Sequence, residues 1–131
     1  MSNEIKVKFE RLILKLTRDT VEGNLNWKIK PPPNILSGEN SDVIPACYET
    51  ILKGQTIGLF QRKYQTFSGG YDGFVWNESI VLVFLDSSRR VISEYSEFQS
   101  ALYNLFQIVR ESCTDVKGIL DELLAVNEAE K

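Results

Sequence analysis

The chain contains no histidine. That lack removes the commonest general base and the commonest metal ligand together. It also excludes any Ser-His-Asp or Cys-His arrangement built within this chain. Cysteine is scarce: Cys47 and Cys113 lie far apart without metal-ligand spacing, and they read as buried free thiols in a reducing compartment. Long apolar runs are missing as well. The longest, Ile80 to Leu85, has the length of a strand and falls far short of the roughly 20 residues a membrane-spanning helix needs. Near the start, Glu4, Lys6, Lys8, Glu10 and Arg11 interrupt the apolar residues where a signal peptide would run unbroken. The cytosol is the expected location, with no membrane association.

What is present describes an ordinary globular chain. Its 131 residues, 43% hydrophobic and 25% charged, fit one domain over 1–131 with a real core. Net charge is −3 but unevenly spread. Before the prolines, Lys6, Lys8, Arg11, Lys15, Arg18, Lys28 and Lys30 outnumber the acids, whereas from Ser96 onward Glu97, Glu111, Asp115, Asp121, Glu122, Glu128 and Glu130 dominate. Such opposite ends favour packing of the terminal helices near each other, or head-to-tail association, against a plain background of solvated surface charge.

Ile5, Phe9, Leu12, Ile13 and Leu16 step along the chain as Phe98, Leu102, Leu105, Phe106 and Val109 do, which keeps each set on one stripe of an α-helix. The first helix should start at Ser2 or Asn3 and run to about Thr17–Thr20. The second should follow Ser96 as N-cap, with Gln99 completing a capping box, and reach Arg110–Glu111. A third, capped by Thr114 or Asp115, carries Val116, Ile119, Leu120, Leu123 and Leu124. Between them, Leu25, Trp27 and Ile29 alternate with polar residues as a half-buried strand, ended by Pro31, Pro32 and Pro33. A polar exposed loop through Asp42 follows. Strands are expected at Val43–Leu52, Thr56–Phe67, Phe74–Leu85 and Val91–Tyr95, with Lys53-Gly54 as a tight hairpin turn and Gly58 as a bulge or close approach. Continuous apolar residues at 80–85 place that strand at the sheet centre, buried on both faces.

These elements predict a two-layer α+β domain: an antiparallel β meander of about five strands, with one N-terminal and two C-terminal helices on one face. The expected core holds Phe9, Leu12, Leu16, Ile80, Leu82, Phe84, Leu102, Leu105, Phe106 and Leu120. No motif diagnostic of a family occurs.

Candidate functional residues are few. Tyr71 lies in the glycine-dense Ser68–Gly73 loop and Phe74 and Trp76 follow it closely, where aromatics suit partner binding as well as folding back on the sheet. The glycine spacing matches neither a dinucleotide fingerprint nor a P-loop. Lys8, Arg11, Lys15 and Arg18 form a basic stripe on the outer side of the first helix, and Val7 and Leu14 sit beside it as a small apolar seam. Asp72, Glu78 and Asp86 flank the central strand and Glu49 lies near Cys47, but nothing in the sequence makes them converge. The reading is a non-enzymatic interaction or accessory protein, homodimeric or bound to a protein partner, with no cofactor and no metal. Apolar residues on both faces of the middle strands argue for a second copy as cover. The alternative is a small-molecule binder or atypical enzyme, its pocket lined by Trp27, Tyr48, Tyr64 and Trp76 between sheet and helices. Nucleic-acid binding through the basic stripe ranks third.

Overall fold

The computed structural model describes residues 2–32, 44–67, 73–97 and 100–125. Helix α1 (Asn3–Val21) is followed by β1 (Lys28–Lys30), β2 (Cys47–Leu52), β3 (Gln55–Phe67), β4 (Phe74–Leu85) and β5 (Val91–Tyr95), then α2 (Ser100–Cys113) and α3 (Val116–Leu124). The strands form one open antiparallel sheet in sequence order, as the short links require. This is the α+β layout the patterns predict. No helix among the described residues is long and apolar enough to cross a membrane.

Local chemistry fixes the ends of the elements. The Ser2 hydroxyl caps α1 by accepting from the Ile5 amide at 3.2 Å. At the other end Gly23 takes φ +79°, the Gly23 amide donates to the Thr20 carbonyl and the Asn24 amide to the Asp19 carbonyl. This double bond pattern is a Schellman stop. Lys53 and Gly54 both have positive φ, 51° and 82°, which makes the two-residue turn whose twist matches paired strands. Asp86 holds the β4–β5 turn, accepting from the amides of Ser88 and Arg90 at 2.9 Å each.

Alternation then sorts side chains to two faces. Ile57, Leu59, Ile80, Leu82 and Tyr95 meet Phe9, Ile13 and Leu16 of α1 and Leu102, Leu105, Phe106 and Val109 of α2. Phe9 stacks on Tyr95, ring centres 4.7 Å apart, and on Phe84 at 5.5 Å. Each such fully buried side chain contributes about 1.5–3 kcal/mol of transfer free energy. On the opposite face Cys47, Phe60, Val81, Val83 and Leu85 are buried together, with Ile44 and Val91 against them. Ile80 through Leu85 thus do pack on both sides. The second face is already covered within one copy, so it does not call for a partner chain.

Several expectations need correction. Leu120 is 49% exposed, and no residue of α3 is buried. Helical periodicity identifies an apolar stripe but not what it lies against. Leu12 and Phe84 are half-buried at the margin of the core. Ile5 is exposed, so the core begins one turn later, at Phe9. The first strand is only three residues long with every residue exposed. Ile29 pairs with Tyr48 at the sheet edge, beyond the cover of the helices, while Trp27 just before it is buried. The second strand begins at Cys47, after Pro45. Helix α2 is described from Ser100 and extends to Cys113; Phe98, Gln99 and Val43 lie outside the described residues, as do Pro33 and the whole of the loop through Asp42.

Gly58 is not at a bulge: it pairs in register with Glu49 and Val83. A Cβ there would stand 2.8 Å from Val83 Cγ2 and 3.2 Å from Cys47 Sγ, so the close approach is what requires glycine. Gly58→Ala should therefore destabilise the protein by about 1–3 kcal/mol, read as a lower urea midpoint at unchanged slope; an unchanged midpoint would remove this constraint. The Asp86 carboxyl is held below the usual carboxylate range, chiefly by the Arg90 amide. Its contribution to the turn is complete above about pH 4 and falls away as acid passes the depressed value. An NMR titration should show the Ser88 and Arg90 amides shifting at lower pH than an ordinary aspartate.

Candidate functional site

The β3–β4 pair runs past its neighbours. Of β3, β2 pairs only with Gln55–Phe60, and of β4, β5 pairs only with the Leu82–Leu85 end. From Gln61 to Phe67 and from Phe74 to Ile80 the two strands continue, among the described residues, paired with each other alone. This two-stranded arm carries three exposed aromatics. Phe67 pairs directly with Phe74, and Trp76 with Gln65, so alternation sets Phe67, Phe74 and Trp76 on one face. The two phenyl rings meet edge to face at 5.9 Å and 74°, and all three side chains are more than half exposed. Val75 is exposed on the reverse face, where Asn77 Nδ2 donates to Thr66 Oγ1 at 2.6 Å.

Of the six residues singled out from sequence, Tyr64, Phe74 and Trp76 sit on this arm, and Tyr71 lies outside the described residues. Trp27 and Tyr48 belong to the helix-covered side of the sheet. The Trp27 indole donates to Thr20 Oγ1 at 2.9 Å, and that hydroxyl donates to the Leu16 carbonyl at 2.6 Å. Trp27 thereby seals one end of the core, its ring N–H satisfied as a buried donor requires. Tyr48 meets Phe106 edge to face at 5.8 Å. Tyr64 is half-buried and lines a recess of about 300 Å³ with Gln61, Glu78, Ile80, Leu102 and Tyr103. Trp76 borders a different, shallower hollow beside Lys63, Asn77 and Glu78. The four residues expected around one cavity are thus divided among core, recess and arm. Phe67, which completes the aromatic face, is missed by sequence reasoning because it closes a strand on the far side of the loop; its register opposite Phe74 carries the information.

Asp72 lies outside the described residues, and the other acidic candidates do not pair. Glu78 accepts from Gln61 Nε2 at 2.9 Å, and Asp86, just past the end of the same strand, is eight residues on, about 26 Å away at the usual rise. Glu49 is buried and bound by Arg89, whose Nε donates at 2.9 Å while Nη2 donates both to Glu49 Oε2 and to the Pro31 carbonyl. Arg89 adopts φ +61° in the turn after β4 and ties that turn to β2 and to the end of β1. The pair is a structural clamp: a buried carboxylate held by a guanidinium fork. Beside it, burial and then the Glu49 charge push the Cys47 thiol up to about 12. A thiol so protonated is no nucleophile. Cys113 is also raised by burial, and its Sγ approaches the Trp27 carbonyl at 3.4 Å.

The basic stripe of α1 is largely answered on its own helix. Lys8 meets Glu4 at 3.4 Å, Lys15 meets Asp19 at 3.2 Å, and Arg18 lies 3.7 and 3.9 Å from Asp19 and Glu22. Val7 and Leu14 are exposed beside it. Among the described residues no group of His, Cys, Asp or Glu could hold a metal ion. Compared with known proteins, the chain matches no family model, no curated protein and no solved structure. Ellman's reagent at pH 8 should leave Cys47 unmodified in the folded protein, and both thiols should react once urea unfolds it. Rapid modification of Cys47 in the native state would contradict its burial.

Proposed function

We infer that this protein is a non-enzymatic interaction or accessory protein, acting as a homodimer and gripping its protein partner with the β3–β4 arm. The observation that carries the reading is the exposed aromatic face of Phe67, Phe74 and Trp76, held on a paired ribbon that projects from the sheet. Contiguous apolar surface of this kind marks contact sites. Aromatic side chains give large contact area for little rotamer entropy, and the ribbon supplies them already aligned. Free thiols at Cys47 and Cys113 suit a reducing compartment such as the cytosol. A small-ligand site or atypical enzyme is the second reading, favoured by the recess beside Tyr64. Its volume, about 300 Å³, is at the bottom of the range for ligand pockets, and its carboxylates are engaged, Glu97 with Lys6 at 3.2 Å and Glu78 with Gln61.

Phe74→Ser combined with Trp76→Ser should leave the circular dichroism and melting temperature unchanged, since both side chains are exposed. Affinity capture from the native cell should return a partner with the wild-type chain and at least tenfold less of it with the double variant, the loss expected of central aromatic contacts. Equal capture by the two would remove the arm from the binding surface. Light scattering at micromolar concentration should give twice the chain mass.

A further inference from the structure

Helix α3 is nine residues long and buries none of them. In water a helix shorter than about 12 residues is marginal by itself, and packing of an apolar face supplies the missing stability. Such a face exists: Val116, Ile119, Leu120 and Leu123 fall within one stripe, and Leu123 is 75% exposed. Val116 and Leu123 stand one heptad apart, and Asp115 and Glu122, likewise seven apart, line one edge of the stripe. The helix therefore presents an apolar seam with an acidic margin.

The opposite surface occurs on α1. Val7, Leu14 and Val21 recur every seven residues and all are exposed, Leu14 by 62%. At about 100° per residue they lie about 130° around the axis from the buried stripe. Arg11 and Arg18, again seven apart, run directly beside them. This helix carries five cations against three carboxylates, while α3 with its cap residue carries three carboxylates against one cation. Two seven-residue seams suit helices aligned at a shallow crossing angle, and the charged margins are complementary. The Lys8–Glu4 and Arg18–Glu22 pairs are exposed on both sides and worth little, so they exchange readily for contacts in trans.

The chain's own α3 does not make this contact. The short link after α2 is tied down: the Thr114 amide donates to the Glu111 carbonyl at 3.3 Å and the Val116 amide to the Thr114 carbonyl at 2.8 Å. Asp115 then caps α3 by accepting from the Gly118 amide at 2.9 Å. In the direction so set, α3 meets no covering surface.

We propose that α3 of one copy docks on the outer seam of α1 of a second copy, and that a two-fold axis makes the exchange reciprocal. The proposal rests on the homodimeric reading above and gives it an interface. It leaves the β3–β4 arms of the dimer to the partner. Each contact sets Val116, Leu120 and Leu123 against Val7 and Leu14, about 10 Å of helix on either side, with Glu122 beside Arg11. Symmetry makes every such contact twice.

Sedimentation or light scattering on the full chain and four variants tests it. Leu14→Glu and Leu123→Glu, both at exposed positions, should keep the native circular dichroism and raise the dimer dissociation constant at least tenfold. One buried glutamate is expected to break the contact it enters, so each variant's own dimer has both contacts broken. The mixed dimer keeps one contact between an intact α1 seam and an intact α3 seam, so an equimolar mixture should dimerise more tightly than either variant alone. Independently, Arg11→Glu should weaken the dimer, and adding Glu122→Arg to the same chain should restore it in part. A wild-type dimer that both glutamate variants leave intact, or a mixture no tighter than its components, overturns the docking while the homodimer stands. A wild-type chain that is monomeric at 100 µM overturns the docking and the homodimer together, and the capture experiment on the arm then decides the rest of the functional reading.

Discussion

Thr56 pairs with Leu85 and Phe67 with Phe74, and all residues between them are held in the same unbroken register. Side chains alternate along a strand, so a slip of one residue would move every apolar group to the other face. Here both faces depend on the pairing. Ile57, Leu59, Ile80 and Leu82 must meet the helices, while Phe60, Val81, Val83 and Leu85 must meet each other on the reverse side. Gly58 lets the strands hold this position, because Val83 and Cys47 occupy the space a Cβ would need. The arm is a consequence of the same register: where β2 and β5 stop, pairing of β3 with β4 carries the aromatic residues onward.

The helices cover the sheet unequally. Helices α1 and α2 lie over its wide end, and Phe9, stacked between Tyr95 and Phe84, joins α1 to β4 and β5. Past Ile80 the helix-facing side of the ribbon has no such cover, and Phe67, Phe74 and Trp76 stand in solvent there. Helix α3 stands outside the core too. The molecule thus leaves two kinds of apolar surface open: aromatic on the arm, aliphatic with charged margins on α1 and α3. The first suits a partner of different kind, the second a copy of the same chain. The polar interactions of the interior serve architecture instead. Arg89 on Glu49 joins a turn to a distant strand, and Thr20 under Trp27 closes one end of the core.

Much of the fold was legible because its signals are local. The stripe Phe9, Ile13, Leu16, the capping hydroxyl of Ser2, the turn at Lys53-Gly54 and the apolar run from Ile80 each act within a few residues. The site was legible only in part. Phe74 and Trp76 were picked out by their place beside a glycine-rich loop, and they share an exposed face. Trp27 and Tyr48 looked equally suitable in sequence, yet both pack on the core side, because an aromatic residue carries no mark of whether a helix will lie over it. The same blindness put Leu120 in the core and Ile29 under cover. Their periodicity was read correctly, and the surfaces they were expected to meet are elsewhere.

By itself, then, the amino-acid order determined which segments coil, which extend, where they turn and which side of each is apolar. These follow from interactions between neighbours a few positions apart. Tertiary structure alone decided which apolar sides are covered: the second sheet face closed within one copy, α3 left bare, and Phe67 set opposite Phe74 across a loop. Burial belongs to pairs of surfaces, and the second surface of each pair comes from a distant part of the chain.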